Sequence, residues 1–276
     1  MSQPVDHQLN LAAQDIFTYG SWALTLALLV VAIWMSRREK TWFYALIVVV
    51  AMVAAFAEPV YDDLMMLYFY TDHGGASAIH SHFTAFDVPQ PVWTHSGYAL
   101  LYAGPALYIT RKLHLGTLTK NGLYLVAAVS LLESCLFEII GINSGVYTYW
   151  GPHVFRIFDY PLVIGMLEMA QVMCFAVAAA EVRKRVTRPV QLGALLVLFP
   201  ATFALVNYGG GAALIVGLHL ENTNGLAQHV ATIISMLAAL GLVRMAASLV
   251  PAEPSADDLT RAGSTPDLRP SSSDAR

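Results

Sequence analysis

Residues 122–151 read GLYLVAAVSLLESCLFEIIGINSGVYTYWG. The first twenty-one, 122–142, form an apolar run broken only by two charges, Glu133 and Glu138. About twenty such residues, rising about 1.5 Å each as a helix, suffice to cross a hydrocarbon core. The run therefore reads as a membrane span, and its two carboxylates each carry a cost of about 2.5–3.5 kcal/mol at the bilayer centre. Asn143-Ser144-Gly145 then turns the chain, and Tyr147, Tyr149 and Trp150 follow at once.

The rest of the chain repeats the pattern. Of 276 residues, 57 % are hydrophobic and 12 % charged, about half the charge of a soluble domain. Six further apolar blocks, at 16–35, 42–70, 92–110, 160–180, 190–217 and 226–248, join 122–142. They predict an all-α, polytopic bundle of seven transmembrane helices over 16–248. A segment 1–15 precedes it and a tail 249–276 follows. The second and sixth blocks exceed the length of a span and contain Pro59 and Gly209-Gly210-Gly211. Both are expected to kink or to leave the helix.

The net charge of −4 is uninformative because the charges are segregated. Arg37, Arg38 and Lys40 follow the first block, Arg111, Lys112 and Lys120 the third, and Arg183, Lys184, Arg185 and Arg188 the fifth. Arg244 closes the seventh, while Arg156 stands alone on the opposite side. The positive-inside rule then puts the N-terminus outside and the C-terminus in the cytoplasm, as an odd number of spans requires. No Lys or Arg precedes the first block, so it reads as a retained helix and not a cleaved signal. The Pro-, Ser- and Asp-rich stretch after Pro251 has too little apolar surface to fold and reads as disordered. Cys135 and Cys174 both lie in apolar runs, which argues against a disulfide framework.

Counting depth from the basic ends brings polar residues of five spans toward one layer. Glu58 falls in the outer half of the second span, Glu133 near mid-membrane, and Glu138 about 8 Å further out. Glu168 lies near the middle of the fifth span, Asn207 late in the sixth and His229 early in the seventh. Glu58 and Asp62 share a face if the helix continues through Pro59, as do Glu168 and Gln171. Glu133 and Glu138 stand about 140° apart around their helix, so they serve different surroundings. For any one of these residues a helix–helix hydrogen bond is a sufficient explanation. Convergence from five spans favours a functional site, with burial and mutual repulsion leaving one carboxyl able to keep and donate its proton.

Other chemistries are less well served. All four lysines, Lys40, Lys112, Lys120 and Lys184, lie in loops, so no lysine is placed for a retinal Schiff base. The repeated His-x-x-His-His boxes of membrane di-iron enzymes do not occur, and neither does a Gly-x-Ser-x-Gly elbow or a phosphate-binding Gly-rich loop with a lysine. His80 and His82, with His73, His95 and His229, have ligand chemistry for zinc, but His-x-His in a loop is a weak signal and a solvated loop explains it better. Trp93 and Trp150 are better explained as interfacial anchors. Nucleic acid is excluded as a partner.

The segment Glu138, Gly141, Gly145, Tyr147, Tyr149, Gly151 has the form E-x-x-G-x-x-x-G-x-Y-x-Y-x-G. It resembles the signature region of the AveC-like spirocyclase family of actinobacterial membrane proteins. A looser likeness runs to the carotenoid hydratases of the CruF-like type. Glu58-Pro59 with Asp62, Pro91-Val92-Trp93 with Gly97-Tyr98, Asp159-Tyr160-Pro161-Leu162 with Glu168, Asn207-Tyr208 and Gly217-Leu218-His219 are similar to further parts of the AveC-type pattern. The likeness covers about residues 55–225. The His-rich 71–91 loop and substituted acidic positions depart from it. The resemblance implies cation-like chemistry started by a carboxylic acid on a polyketide or isoprenoid.

The resulting expectation is a bacterial plasma-membrane enzyme for cyclisation, hydration or dehydration of a lipid-soluble substrate, with no cofactor and no metal. Glu138 is the expected general acid and Glu168 its base or partner. Glu58 and Asp62 complete a polar cluster orienting water or a hydroxyl. Tyr147, Tyr149 and Trp93 line the pocket and stabilise positive charge, with Asn207, Tyr208, His95 and His229 as further substrate contacts. Two other readings use the same residues. One is a zinc-dependent lipid amidase of the seven-helix ceramidase type, drawing on His80, His82, His95, His219 or His229. The other is a proton-coupled transporter, although no internal repeat is evident.

Overall fold

The computed structural model describes residues 3–221 and 225–252, so most of the tail expected to be disordered lies outside the described residues. Among the described residues eight helices follow one another: α1 (Leu11–Arg38), α2 (Phe43–Met65), α3 (94–114), α4 (Lys120–Asn143), α5 (Leu162–Arg185), α6 (Pro189–Gly210), α7 (Ala212–His219) and α8 (Gly225–Ser248). Six described helices, all but α3 and α7, are long and apolar enough to cross a membrane, the mark of a multi-pass integral membrane protein. Helix α3 is continuous and long, but His95, Ser96, three tyrosines and Arg111 dilute its apolar character.

The opening stretch shows why this bundle suits lipid. Thr119 caps α4 by accepting from the Gly122 N–H at 3.1 Å. Leu125, Val129, Leu132, Leu136 and Ile140 all point out of the bundle and are more than half exposed, a continuous apolar stripe that water would not tolerate. The opposite stripe, Ala127, Ser130, Ser134, Glu138 and Gly141, is buried at helical spacing. Small and polar residues on the inner face let backbones approach and hydrogen-bond, which is how helices associate when lipid removes the hydrophobic incentive. Helix α1 uses the same device: Ser21 Oγ meets Ser96 Oγ at 2.6 Å, and Thr25 Oγ1 donates to the Ser96 carbonyl at 3.2 Å. Helix α5 is buried nearly all round and packs against α3, α4, α6 and α8 as the central post.

Both long blocks are interrupted as expected. Helix α2 tightens to a 3₁₀ turn at Ala55–Ala57 and restarts at Glu58, with Pro59 in the first turn, where its missing N–H costs nothing. It ends at Met66, in the left-handed conformation with φ 54°. Helix α6 widens to a π-helical stretch over Ala204–Gly210, a form that often marks functional positions.

The two ends of the bundle differ. At one end Glu39, in the α1–α2 connection, receives Arg183 Nη2 at 2.6 Å and Tyr44 Oη at 2.8 Å. Partial burial works against the charged Glu39 carboxyl, but these donors outweigh it and hold its pKa below the ordinary value. Its contribution to stability is thus present at neutral pH and fades as the pH falls through the carboxylate range. The Arg183 side chain is 12 % exposed, whereas its neighbour Lys184, paired with Glu181 at 2.6 Å, is 55 % exposed. Arg183→Met is therefore expected to lower stability by about 1–3 kcal/mol and Lys184→Met by less than about 1 kcal/mol. Paired thermal melts in detergent measure the difference; equal losses would deny Glu39 its role as a clasp between α2 and α5.

The other end carries the strands β1 (Leu67–Phe69), β2 (Asp72–His73), β3 (Ala76–Ser77), β4 (Ser81–Ala85), β5 (Val88–Pro91), β6 (Tyr147–Tyr149), β7 (Arg156–Ile157) and β8 (Tyr160–Pro161). They pair as short antiparallel ladders β1–β6, β2–β3, β4–β5 and β7–β8. From sequence β2–β7 read as loops, whereas β1 and β8 fall inside the blocks 42–70 and 160–180 expected to span; α2 in fact ends at Met65 and α5 begins at Leu162, and two- to five-residue strands leave little periodicity to find.

Candidate active site

Strand alternation builds the roof of the site. In the β1–β6 ladder Leu67 pairs with Tyr149 and Phe69 with Tyr147. Side chains two apart share a face, so these four point down into the bundle while Tyr68 and Thr148 point away. The Tyr-x-Tyr spacing is thus a strand signature with one face turned inward. Gly141 makes the close approach possible: a Cβ there would overlap the phenol of Tyr147. It lies three residues after Glu138, on the same helical face, so Tyr147 settles against α4 one turn from that carboxyl.

Beneath the roof lies a small cavity lined by fifteen residues. Eight of them are aromatic: Tyr61, Phe69, Trp93, Tyr98, Tyr102, Phe137, Tyr147 and Tyr149. Three are glutamates from three different helices: Glu58 of α2, Glu138 of α4 and Glu168 of α5. They lie close enough to interact electrostatically with one another. The cavity volume is about 30 Å³, enough for about two waters.

Each carboxyl has a different environment. Glu168 is 5 % exposed, and its Oε2 accepts from Ser134 Oγ and from Tyr160 Oη at 3.2 Å. Glu58 Oε2 accepts from Tyr98 Oη. Glu58 is half-buried and lines the cavity. Glu138 is 6 % exposed. The Tyr147 and Tyr149 hydroxyls come near it, yet Glu138 Oε2 and Tyr147 Oη meet no partner at bonding geometry. A buried polar atom left unpaired costs about 1–3 kcal/mol, and Tyr61 Oη and Thr94 Oγ1 add two more such atoms to the cavity wall. A water or a substrate oxygen is what such a wall is built to receive. Burial and the nearby Glu138 hold the phenols of Tyr147 and Tyr149 well above the ordinary tyrosine pKa, so both stay neutral donors.

Of the residues expected from sequence, Glu58, Glu138, Glu168, Trp93, Tyr147 and Tyr149 meet at this cavity. Asp62 stands one turn behind Glu58, fully buried, and accepts from Gln90 Nε2 at 2.7 Å. Asn207 is buried in the π-helical part of α6 and donates to the Phe203 carbonyl at 3.2 Å. Tyr208 packs on Phe203 and lies within electrostatic range of Glu58 and Asp62. The two histidines lie elsewhere. His95 meets His82, and His229 at the start of α8 bonds the Gly225 carbonyl and stacks edge-on against Phe155. Glu133 faces out of the bundle in a groove beside Gly104, Pro105 and Tyr108 of α3.

From sequence, Tyr98 and Tyr160 stand out only within the AveC-like motifs and not as site residues, and nothing singles out Tyr61, Tyr102 or Ser134. A helical-face count finds most of them: Thr94, Tyr98 and Tyr102 recur every four residues, Ser134 lies four before Glu138, and Tyr61 three after Glu58. Among the described residues no three His, Cys, Asp or Glu side chains converge to hold a metal ion. His80 sits 3.9 Å from Asp15, and His219 bonds the Leu64 carbonyl, so of the histidines of the amidase reading only His82 and His95 meet. Comparisons with protein-family models, curated proteins and solved structures found no match.

Proposed function

We propose that the chain is an integral membrane enzyme that uses the Glu58–Glu138–Glu168 cavity for acid–base cyclisation, hydration or dehydration of a lipid-soluble polyketide or isoprenoid. The observation that carries this reading is the convergence of three carboxyls from three helices on one aromatic-walled cavity. Glu138, with an oxygen unclaimed by protein, gives its proton to the substrate. The faces of Trp93, Tyr147 and Tyr149 stabilise the positive charge that results. Water then leaves or adds, or an internal hydroxyl closes a ring. Glu168, oriented by Ser134 and Tyr160, takes up the proton released, so the net reaction needs no redox partner.

In this proposal α3 completes a set of seven spans, the N-terminus lies outside, and the strand-bearing end with the cavity mouth faces away from the cytoplasm of a bacterial cell. The segregation of Arg37, Arg38, Arg111, Lys112, Arg183, Lys184 and Arg185 at the opposite end supports that orientation. The likeness to AveC-like spirocyclases supports the reaction type, since Glu138, Gly141, Tyr147 and Tyr149 of the shared pattern are brought together at the cavity. A second reading, proton-coupled transport through the same carboxyls, draws on the interrupted helices α2 and α6 beside them.

Mass spectrometry of lipid extracts from a host with and without the protein separates the two. The enzyme yields a new species that is isobaric with a host lipid or differs from it by one water. Extracts identical in composition across hosts that supply polyketides and isoprenoids would turn the reading toward transport.

A further inference from the structure

His82, on β4, and His95, in the first turn of α3, approach tip to tip, with Nε2 atoms 2.7 Å apart. Their other nitrogens are committed. His82 Nδ1 lies 3.0 Å from the Gln90 carbonyl and His95 Nδ1 lies 2.6 Å from the Met52 carbonyl. A carbonyl oxygen only accepts, so each Nδ1 must carry the hydrogen. Both neutral rings therefore present a bare lone pair at Nε2, and the two lone pairs face each other. Two acceptors at this distance repel unless something electron-poor joins them.

A shared proton would leave one net positive charge, yet among the described residues no carboxylate lies within ion-pair distance of either ring. A metal ion meets the geometry better. Histidines that bind metals through one nitrogen usually donate the other N–H to a backbone carbonyl or carboxylate, which fixes the tautomer and the ring orientation, and both rings already do so. Tetrahedral zinc, with bonds of about 2.0–2.1 Å, holds two nitrogens about 3.3 Å apart. The rings need to part by about 0.6 Å, a small adjustment for His82, whose side chain is exposed on the β4–β5 hairpin.

We propose that His82 and His95 bind a divalent transition-metal ion of the zinc class, with water completing the coordination. The ion would staple the β4–β5 hairpin to α2 and α3, because the supporting carbonyls come from Gln90 on β5 and Met52 on α2. The site is separate from the carboxyl cavity, and its test does not depend on enzymatic activity.

The experiment uses the full-length protein purified in detergent and stripped with a chelator. Dialysis against zinc is expected to return one bound ion per chain, and X-ray absorption at the zinc edge is expected to show imidazole scattering. Zinc should raise the melting temperature of the wild type and of His80→Ala, and leave His82→Ala and His95→Ala unchanged. Failure of the wild-type protein to retain zinc, or retention without imidazole scattering, overturns the proposal whether or not the variants fold. A zinc-induced shift of equal size in His82→Ala does so as well.

Discussion

Glu138→Gln is expected to abolish product formation, with turnover falling by about 10²–10⁴-fold, the contribution of a positioned proton donor. The amide keeps the shape and the hydrogen-bonding atoms of the carboxyl but cannot supply a proton. Packing around Phe137, Tyr147 and Tyr149 is therefore retained, and the variant should reach the membrane in normal amount. Glu168→Gln should lose a comparable factor, since its Oε2 is held by Ser134 and Tyr160 for use as an acceptor. Glu58→Gln should lose less, because the proposed mechanism moves no proton through Glu58, whose Oε2 accepts from Tyr98. Initial rates per unit of membrane protein measure all three. A Glu138→Gln enzyme with wild-type rate would remove the acid from the mechanism.

Gly141→Ala is the variant expected to do most damage for the fewest atoms. The added methyl would overlap Oη, Cζ and Cε1 of Tyr147, a rigid ring wedged between Phe69 and Trp93 with centroids 5.8 and 5.7 Å away. Overpacking of this kind costs about 1–3 kcal/mol, and the ring can yield only by lifting β6 off the cavity. Stability and product yield should fall together. Gly241→Ala, where a Cβ meets nothing within 4 Å, should instead be neutral or stabilise α8 by up to about 1 kcal/mol. Melting curves and product yields of the two variants provide the comparison; a stable, active Gly141→Ala would mean that Tyr147 does not need its present seat.

The sequence made the helices legible because lipid imposes a length and a composition on each one. Glu138 could be told from Glu133 because five residues turn a helix by about 140°; one glutamate is buried at the cavity and the other faces outward. Glu168 was legible for the same reason, as a charge that cannot face lipid. What escaped were contacts set by tertiary pairing. The β1–β6 register, which turns Phe69, Tyr147 and Tyr149 inward, joins segments almost eighty residues apart, and no local pattern encodes it. The bond from Gln90 to Asp62 and the pairing of His82 with His95 are likewise products of how a hairpin folds back over the bundle. Tyr98 and Tyr102 lay within reach of a face count, but three tyrosines along one helix also suit an interfacial belt, and composition alone does not separate the two.

In the proposed mechanism Glu138, and not its neighbour Glu133 on the same helix, works on a substrate. Glu138→Gln and Glu133→Gln, expressed to equal levels in one membrane host, test it by mass spectrometry of total lipid extracts against the wild type. The isobaric or water-shifted product is expected to persist with Glu133→Gln and to disappear with Glu138→Gln. Product surviving in Glu138→Gln, or vanishing only in Glu133→Gln, would contradict it.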